Sequence, residues 1–406
     1  MDGYVRLFEI FSLLNDPRDR KGRVHILAEV LFCSFVAILA GANNAEAVVD
    51  YLRNNEAWFR RFVVLPGGIP AHDMVLRAFA LVDPDEFEAV IRAWVESLRE
   101  PGALTTEGGH VAIDGKALRG SLARTLGRRP VHMVGAYLID AGLTLGTIKV
   151  DDKSNEITAI PDLIRVLNLK GMTVTIDAMG CQTAIAAEII AADADYVLQV
   201  KGNQPTLQSE IEGTFEEVMR RRKPGEAKVA LDRYREVDKG HGRIEQRTCI
   251  VCRDLSGITN TQAWEGLTGI ALIAREVENL TTKKVSKELS YYILSNADVD
   301  ARDIARTIRN HWAIESSLHW TLDVTFGEDG HRVIDRNGAA NLARLRRLAQ
   351  GMIKNATGYG MSMTRVRDVC GWNADNLLKV LAGEVIARPR LRRALDPKRF
   401  KSPKTK

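Results

Sequence analysis

Apolar residues recur every three or four positions along the first hundred residues, and this period predicts helices over 26–39, 45–62, 73–80 and 84–98. Gly41 before Asn43-Asn44, Pro66-Gly67-Gly68 and Asp83-Pro84 separate them. The stretch Ile69-Pro70-Ala71-His72-Asp73, with the helix after it, fits part of a helix-turn-helix or a plain turn before a helix. The most apolar run, 26–42, contains Glu29 and Ser34 and falls short of the roughly 20 apolar residues a membrane span requires, so it reads as a buried helix.

After Glu107-Gly108-Gly109 the period shortens. A mostly apolar run over 110–113 ends in Asp114, and two strand-like runs over 131–139 and 143–150 flank the turn Asp140-Ala141-Gly142 as a hairpin. A short helix opens near Pro161 and runs to 167, because proline suits a first helical turn. A buried-type strand over 172–176 ends in Asp177; a helix over 182–192, a strand over 196–200 and a polar helix over 206–222 follow. This order describes an α/β mixed sheet with helices on its faces. Strand-like runs over 228–237, 243–251, 269–277 and 288–294 then form a β-rich insertion, and helix returns within 301–326 and 337–355. The expected division is a helical N-terminal domain over 1–100, a core over 107–355 with the insertion at about 228–295, and a helical and basic tail over 356–406.

Composition narrows this little. The 406 residues carry a formal charge of +5, and 45% are hydrophobic, as in an ordinary globular protein. The basic residues are unevenly placed: from Arg388 to Lys406 nine Lys/Arg face one acid, Asp396, which suits a polyanionic partner or a solvated end. Five scattered cysteines argue against a disulfide framework and for a reducing compartment; the Cys249/Cys252 pair sits in a strand-like run without a second pair to complete a zinc site. The N-terminus lacks the basic start and clean apolar run of a secretory signal, and no membrane association is expected.

Asp114 and Asp177 each close a short apolar strand. Carboxylates at the carboxyl ends of neighbouring strands can converge, and two that converge repel unless a proton or a cation sits between them. A hard ion such as Mg²⁺ suits oxygen ligands. Singly, each is equally readable as a turn or helix-cap aspartate. On the helix within 301–326, His311, Glu315, His319 and Asp323 recur at four-residue spacing as one polar stripe between apolar positions. Three readings stay open for it: Glu315 facing the two aspartates, a zinc site of His311, Glu315 and His319, or a solvated face. Lys116, two residues from Asp114, would share its face if the strand continued.

The residues Ala112-Ile113-Asp114-Gly115-Lys116 with Arg119-Gly120-Ser121, the block 153–161 (KSNEITAIP), Thr175-Ile176-Asp177-Ala178-Met179-Gly180, Lys201-Gly202-Asn203-Gln204, Gly240-His241-Gly242-Arg243 and His311-Trp312-Ala313-Ile314-Glu315 with Leu318-His319-Trp320 follow one another in an order that resembles the ISAs1 family of insertion-sequence transposases. The resemblance implies a helical associated domain ahead of a ribonuclease-H-like DDE core, with Asp114, Asp177 and Glu315 as the catalytic, metal-holding acids. It implies two Mg²⁺ ions, with Mn²⁺ as substitute, Asp114 bridging both while Asp177 and Glu315 each hold mainly one. It further implies cleavage at transposon ends and strand transfer into target DNA, double-stranded DNA as partner, a homodimer in the synaptic complex, and a cytoplasmic, nucleoid-associated location. Related transposases space Tyr, Arg and Lys around the third acid. Here Ile308, His311 and Leu322 stand there, so Lys116, Arg119, Lys201, Arg309 and His311 become the candidate DNA contacts, with His241 and Arg243 in the insertion as further ones or as an ordinary hairpin turn. The alternatives are a structure-selective nuclease and a catalytically inactive, domesticated DNA-binding descendant.

Overall fold

In the computed structural model, residues 3–21, 23–97, 108–122, 127–150, 154–220, 230–358 and 360–386 are described; the basic run 388–406 lies outside them. Six helices form the N-terminal region: α1 (Gly3–Ser12), α2 (Leu27–Leu39), α3 (Ala45–Asn54), α4 (Glu56–Phe59), α5 (His72–Leu81) and α6 (Pro84–Ser97). Every side chain of α2 is buried, which explains a sequence apolar all round rather than on one stripe. Its one acid, Glu29, accepts the Val64 and Leu65 backbone N–H groups at 2.9 and 3.0 Å, so the buried carboxylate is hydrogen-bonded. The helix expected over 45–62 breaks at Asn55, whose side-chain amide donates to the Tyr51 carbonyl (2.9 Å) as its backbone leaves the helical region at φ −123°. The helix-turn-helix candidate α5 is a core helix: Val75, Ala78 and Phe79 are buried.

The strands are β1 (His110–Leu118), β2 (Val131–Leu138), β3 (Leu143–Val150), β4 (Thr173–Ile176), β5 (Asp195–Val200), β6 (Leu231–Gly240), β7 (Arg243–Cys252), β8 (Gly269–Asn279) and β9 (Val285–Leu294). They make one nine-stranded sheet in the order β3-β2-β1-β4-β5-β9-β8-β7-β6. β4 runs parallel to β1 and β5, and β9 pairs antiparallel with β5. The four strands read as an insertion therefore extend the same sheet beyond β5. Cys249 and Cys252 are both free and buried in β7, but belong to different core clusters, as an odd spacing in a strand requires.

Two local expectations are corrected. Asp114 does not end its strand: β1 runs on to Leu118 because β2 keeps pairing with it, Gly135 opposite Asp114. What stops at Ile113 is the pairing with the four-residue β4, which opens a notch beside Asp114. The helix expected from Pro161 starts earlier, as α7 (Glu156–Val166), because Asn155 and Thr158 form a capping box and outweigh the one backbone bond Pro161 removes.

Helices α8 (Thr183–Ala191) and α9 (Pro205–Arg220) follow the neighbouring strands; α10 (Ala301–His311) packs on β1, β4 and β5. Beyond it come a π-helical segment, Ile314–His319, and α11 (Trp320–Val324), then α12 (Arg336–Ala356), α13 (Met363–Trp372) and α14 (Ala374–Leu381). α12 packs against α2, α5 and α6 on one side and β2 and β3 on another, so N-terminal helices and sheet share one core. Among the described residues no helix is long and apolar enough to cross a membrane.

Candidate active site

Asp114 sits at the notch where β4 ends. Its Oδ1 accepts the Gly115 N–H at 2.8 Å, and its Oδ2 lies 3.6 Å from His319 Nδ1. Burial pushes its carboxyl up to about 7; the Gly115 N–H pulls the other way, while the charges of Glu156, Asp177 and Glu315 push it further. Three acids from three elements thus act on one half-buried carboxylate.

Asp177 follows β4, and its Oδ1 accepts the Met179 and Gly180 N–H groups at 3.1 and 3.3 Å. It caps the short 3-10 turn Ala178–Gly180 while facing the site, so the strand-end and cap readings are both realised. Asn203 and Gln204 brace this turn by donating to the carbonyls of Ala178 and Cys181 at 2.7 and 2.9 Å, which gives the 201–204 block a positioning part.

Glu315 stands exposed in the π-helical segment between buried Ile314 and Leu318. A π turn holds more residues than an α turn, so side chains four apart no longer stack in one line. The stripe divides accordingly. His311 Nδ1 meets Thr175 Oγ1 at 2.9 Å, His319 approaches Asp114, and Asp323 takes Lys116. The zinc reading of His311, Glu315 and His319 does not hold. Its two histidines turn to different partners, Thr175 and Asp114, and among the described residues no three His, Cys, Asp or Glu are drawn together as a metal cage, the acids around Asp114 included. The acids around Asp114 share a field, and hard oxygen donors with a surplus of negative charge suit a divalent cation such as Mg²⁺.

Of the expected cationic contacts, Lys116 is an internal counter-ion. Its buried Nζ lies 2.8 and 2.9 Å from the Asp323 oxygens, 3.9 Å from Glu328 and 3.8 Å from Asp329, tying β1 to α11 and the loop after it. Arg309 is held by Glu236 and Asp238 at 3.0 and 2.5 Å. His311 is turned inward: Thr175 Oγ1 also meets His110 Nε2 at 2.7 Å, and burial pulls His311 down to about 4 and His110 to about 3. Arg119 is exposed with Asp329 3.6 Å away, and Lys201 is exposed with no side-chain partner among the described residues. His241 and Gly242 form the β6–β7 turn at φ 50° and 72°, the ordinary hairpin geometry. Thr175→Val should leave the buried His110 and the half-buried His311 short of a partner and cost about 1–3 kcal/mol, read as a lowered urea midpoint.

Two residues that sequence reasoning gave no role lie near Asp114, across β1 from its side chain. Glu156 opens α7, and its Oε1 meets His132 Nε2 at 2.6 Å. The signal was the block 153–161, whose acid looked like an ordinary first-turn helix residue.

The raised carboxyl of Asp114 has a pH signature. The folded chain keeps a proton there that the unfolded chain has lost, so this group makes stability fall as pH rises from about 4 to about 7. His110, His311 and His319, all pulled down chiefly by burial, act oppositely and cost stability as pH falls below about 6.5. The difference between the wild type and Asp114→Asn isolates the acid. In chelator the variant's melting temperature should gain on the wild type's as pH rises through that window; a flat difference would contradict the assignment.

The sequence profile described as Transposase DDE domain matches residues 105–351, and one described as DDE_Tnp_1-associated matches 8–95. YncI of Escherichia coli O157:H7, named as a transposase, is 32% identical over 93% of this chain and 94% of its own length. YhhI of Escherichia coli strain K12, named as an H repeat-associated transposase, is 31% identical over 93% and 98%. A protein encoded in the dhlA 3′ region of Xanthobacter autotrophicus is 36% identical over 70% and 93%. The piggyBac transposase synaptic complex with hairpin DNA aligns over 94% of this chain and 79% of that one, with a TM-score of 0.41 at 10% identity, too weak a likeness to carry a conclusion. The profile over most of the chain and the full-length relatives agree: this chain belongs to the DDE transposase family.

Proposed function

We propose that the chain is a DNA transposase of the ISAs1 type, with a ribonuclease-H-like core, that cuts at transposon ends and joins the freed ends to target DNA. The observation that carries this reading is the half-buried Asp114 carboxyl at the notch where β4 ends, beside His319, its pKa pushed up by desolvation with Glu156, Asp177 and Glu315 adding their charges. Asp114, Asp177 and Glu315 hold Mg²⁺, or Mn²⁺ in its place. Two such ions, when bound, activate water and stabilise the attacking and leaving oxygens of phosphoryl transfer. The protein's share is to desolvate Asp114, keep Asp177 on its braced turn, and set a neutral His319 beside them, its pKa held low by burial and by Arg347 and Lys116. Lys201 and Arg119 are the cations left to meet DNA phosphates, with the run 388–406 adding to them. Two ends are brought together by a homodimer at the nucleoid.

The test is purified chain with Mg²⁺ and DNA carrying the flanking inverted repeats, reading nicked ends and joined products separately. Cleavage with joining is expected. Cutting without joining would replace the reading by a nuclease, and end binding without cutting by an inactive DNA-binding descendant.

A further inference from the structure

Arginines from three separate segments meet where β1 ends. Arg119 follows β1, Arg128 and Arg129 precede β2, Arg332 lies in the loop before α12, and Arg336 opens that helix. Hydrogen bonds staple the segments together. The Val333 N–H donates to the Gly120 carbonyl at 3.1 Å, the Val131 N–H to Ser121 Oγ at 2.7 Å, and Arg336 Nη1 to the Arg129 carbonyl at 3.2 Å. A Cβ at Gly120 would collide with the His331 carbonyl oxygen, so the close approach of these loops needs a glycine there. Beneath them Leu118, Val131, Met133, Ala339, Ala340 and Ala343 form a core cluster of their own. Arg128, Arg129 and Arg332 are exposed, and none has a carboxylate partner among the described residues. The acids close by are already engaged. Asp335 Oδ1 accepts the Gly338 N–H at 2.7 Å, and Asp329 lies 3.8 Å from Lys116 Nζ and 3.6 Å from Arg119 Nε. An ordinary solvated face would intersperse acids among such cations; here the fold gathers like charges against their mutual repulsion. Leu118, the last residue of β1, is four residues beyond Asp114, about 14 Å at roughly 3.4 Å per residue. Lys116 and Asp329 fill the space between the two places.

We propose that Arg128, Arg129 and Arg332, with Arg119 and Arg336 at their margins, form a phosphate-binding rim that holds duplex DNA about four base pairs from the cleaved bond. This rests on the reading of the chain as a DNA transposase given above. A DNA backbone presents phosphates at regular intervals, and each can take a guanidinium that no carboxylate of the fold has neutralised. The rim reads no base. It fixes the duplex so that the bond to be cut reaches Asp114.

The experiment is fluorescence-anisotropy titration of the full chain in chelator, at several salt concentrations, with two duplexes of equal length. One carries the flanking inverted repeat and the other an unrelated sequence. The variant is Arg128→Gln with Arg129→Gln and Arg332→Gln; the control removes equal charge from the exposed Lys170, Lys354 and Lys379, each changed to Gln. The arginine variant should melt like the wild type and bind both duplexes at least about tenfold more weakly near 0.1 M salt, with the slope of log affinity against log salt shallower by about 2–3. The lysine control should stay within about twofold of the wild type. Equal losses in both triple variants would reduce the effect to net charge and overturn the rim. An unchanged slope in the arginine variant would overturn it too, as would a loss confined to the inverted-repeat duplex, which would make these arginines base readers. Should the triple variant melt early, Arg332→Gln decides alone, through a slope shallower by about one. If the wild type binds neither duplex, the transposase reading falls, and this one with it. If the wild type binds and cuts while the arginine variant keeps its affinity, only this inference falls.

Discussion

Asp114→Asn is expected to cut Mg²⁺-dependent end cleavage by at least about 10³-fold, about 4 kcal/mol of transition-state stabilisation, while leaving binding to the ends intact. The substitution keeps the shape, and its amide oxygen still accepts the Gly115 N–H that now goes to Oδ1. It removes only the charge, which is what a cation site requires. The same change relieves a half-buried carboxyl of its desolvation and its neighbours' repulsion, so the inactive variant should be more stable than the wild type in chelator near neutral pH. Loss of function with gain of stability is the pattern of a residue retained for chemistry. Asp177→Asn preserves the cap to Met179 and Gly180, and Glu315→Gln lies on an exposed π-helical position, so neither should unfold the chain. Cleavage by any of the three variants within about tenfold of the wild type would sink that residue's role.

Glu88→Ala should destabilise the chain by about 3–5 kcal/mol, the usual cost of stranding one partner of a buried ion pair. Glu88 lies in α6, yet its Oε1 accepts the Thr147 N–H at 2.7 Å, and its Oε2 accepts the Thr147 hydroxyl and Arg344 Nε, each at 2.6 Å. One carboxylate joins an N-terminal helix, an edge strand and α12. Removing it leaves the nearly inaccessible Arg344 charge unpaired. The double variant Glu88→Met with Arg344→Leu should recover much of the loss, because the pair's attraction barely exceeds its desolvation cost. Urea unfolding measures all three; a loss below about 1 kcal/mol for Glu88→Ala would show that α6 and the sheet are not coupled here. Since Asn341 of α12 also donates to the Phe79 and Val82 carbonyls at 2.9 Å, the active-site scaffold and the N-terminal helices should unfold together.

Helices α2, α5, α6, α8, α9 and α12 were legible because each obeys a local period, with breakers or caps at its ends. The strands were legible for the same reason. The elements misread were those where a local signal competed with a stronger one nearby. Pro161 looked like a helix start, but Asn155 and Thr158 supply more hydrogen bonds. The run through 45–62 looked continuous, but Asn55 prefers its own backbone contact. Asp114 looked like a strand end because the apolar run stops there, while the strand persists through pairing with β2 that periodicity does not reveal.

The sequence by itself determined most of the helices and strands, the family order of the acidic blocks and the candidacy of Asp114, Asp177 and Glu315, since these follow from near neighbours in the chain. Only the tertiary structure decided which charges are spent. Lys116 and Arg309 read as free cations until Asp323, Glu236 and Asp238, between 71 and 207 positions away, were folded against them. It also decided that β6 to β9 extend the central sheet, that the polar stripe of 311–323 divides at a π turn, and that Glu156 stands over Gly115. The physical reason is the same in each case. Hydrogen-bond periodicity acts within a few residues, whereas a charge or a backbone gap takes its meaning from whatever distant segment packs against it.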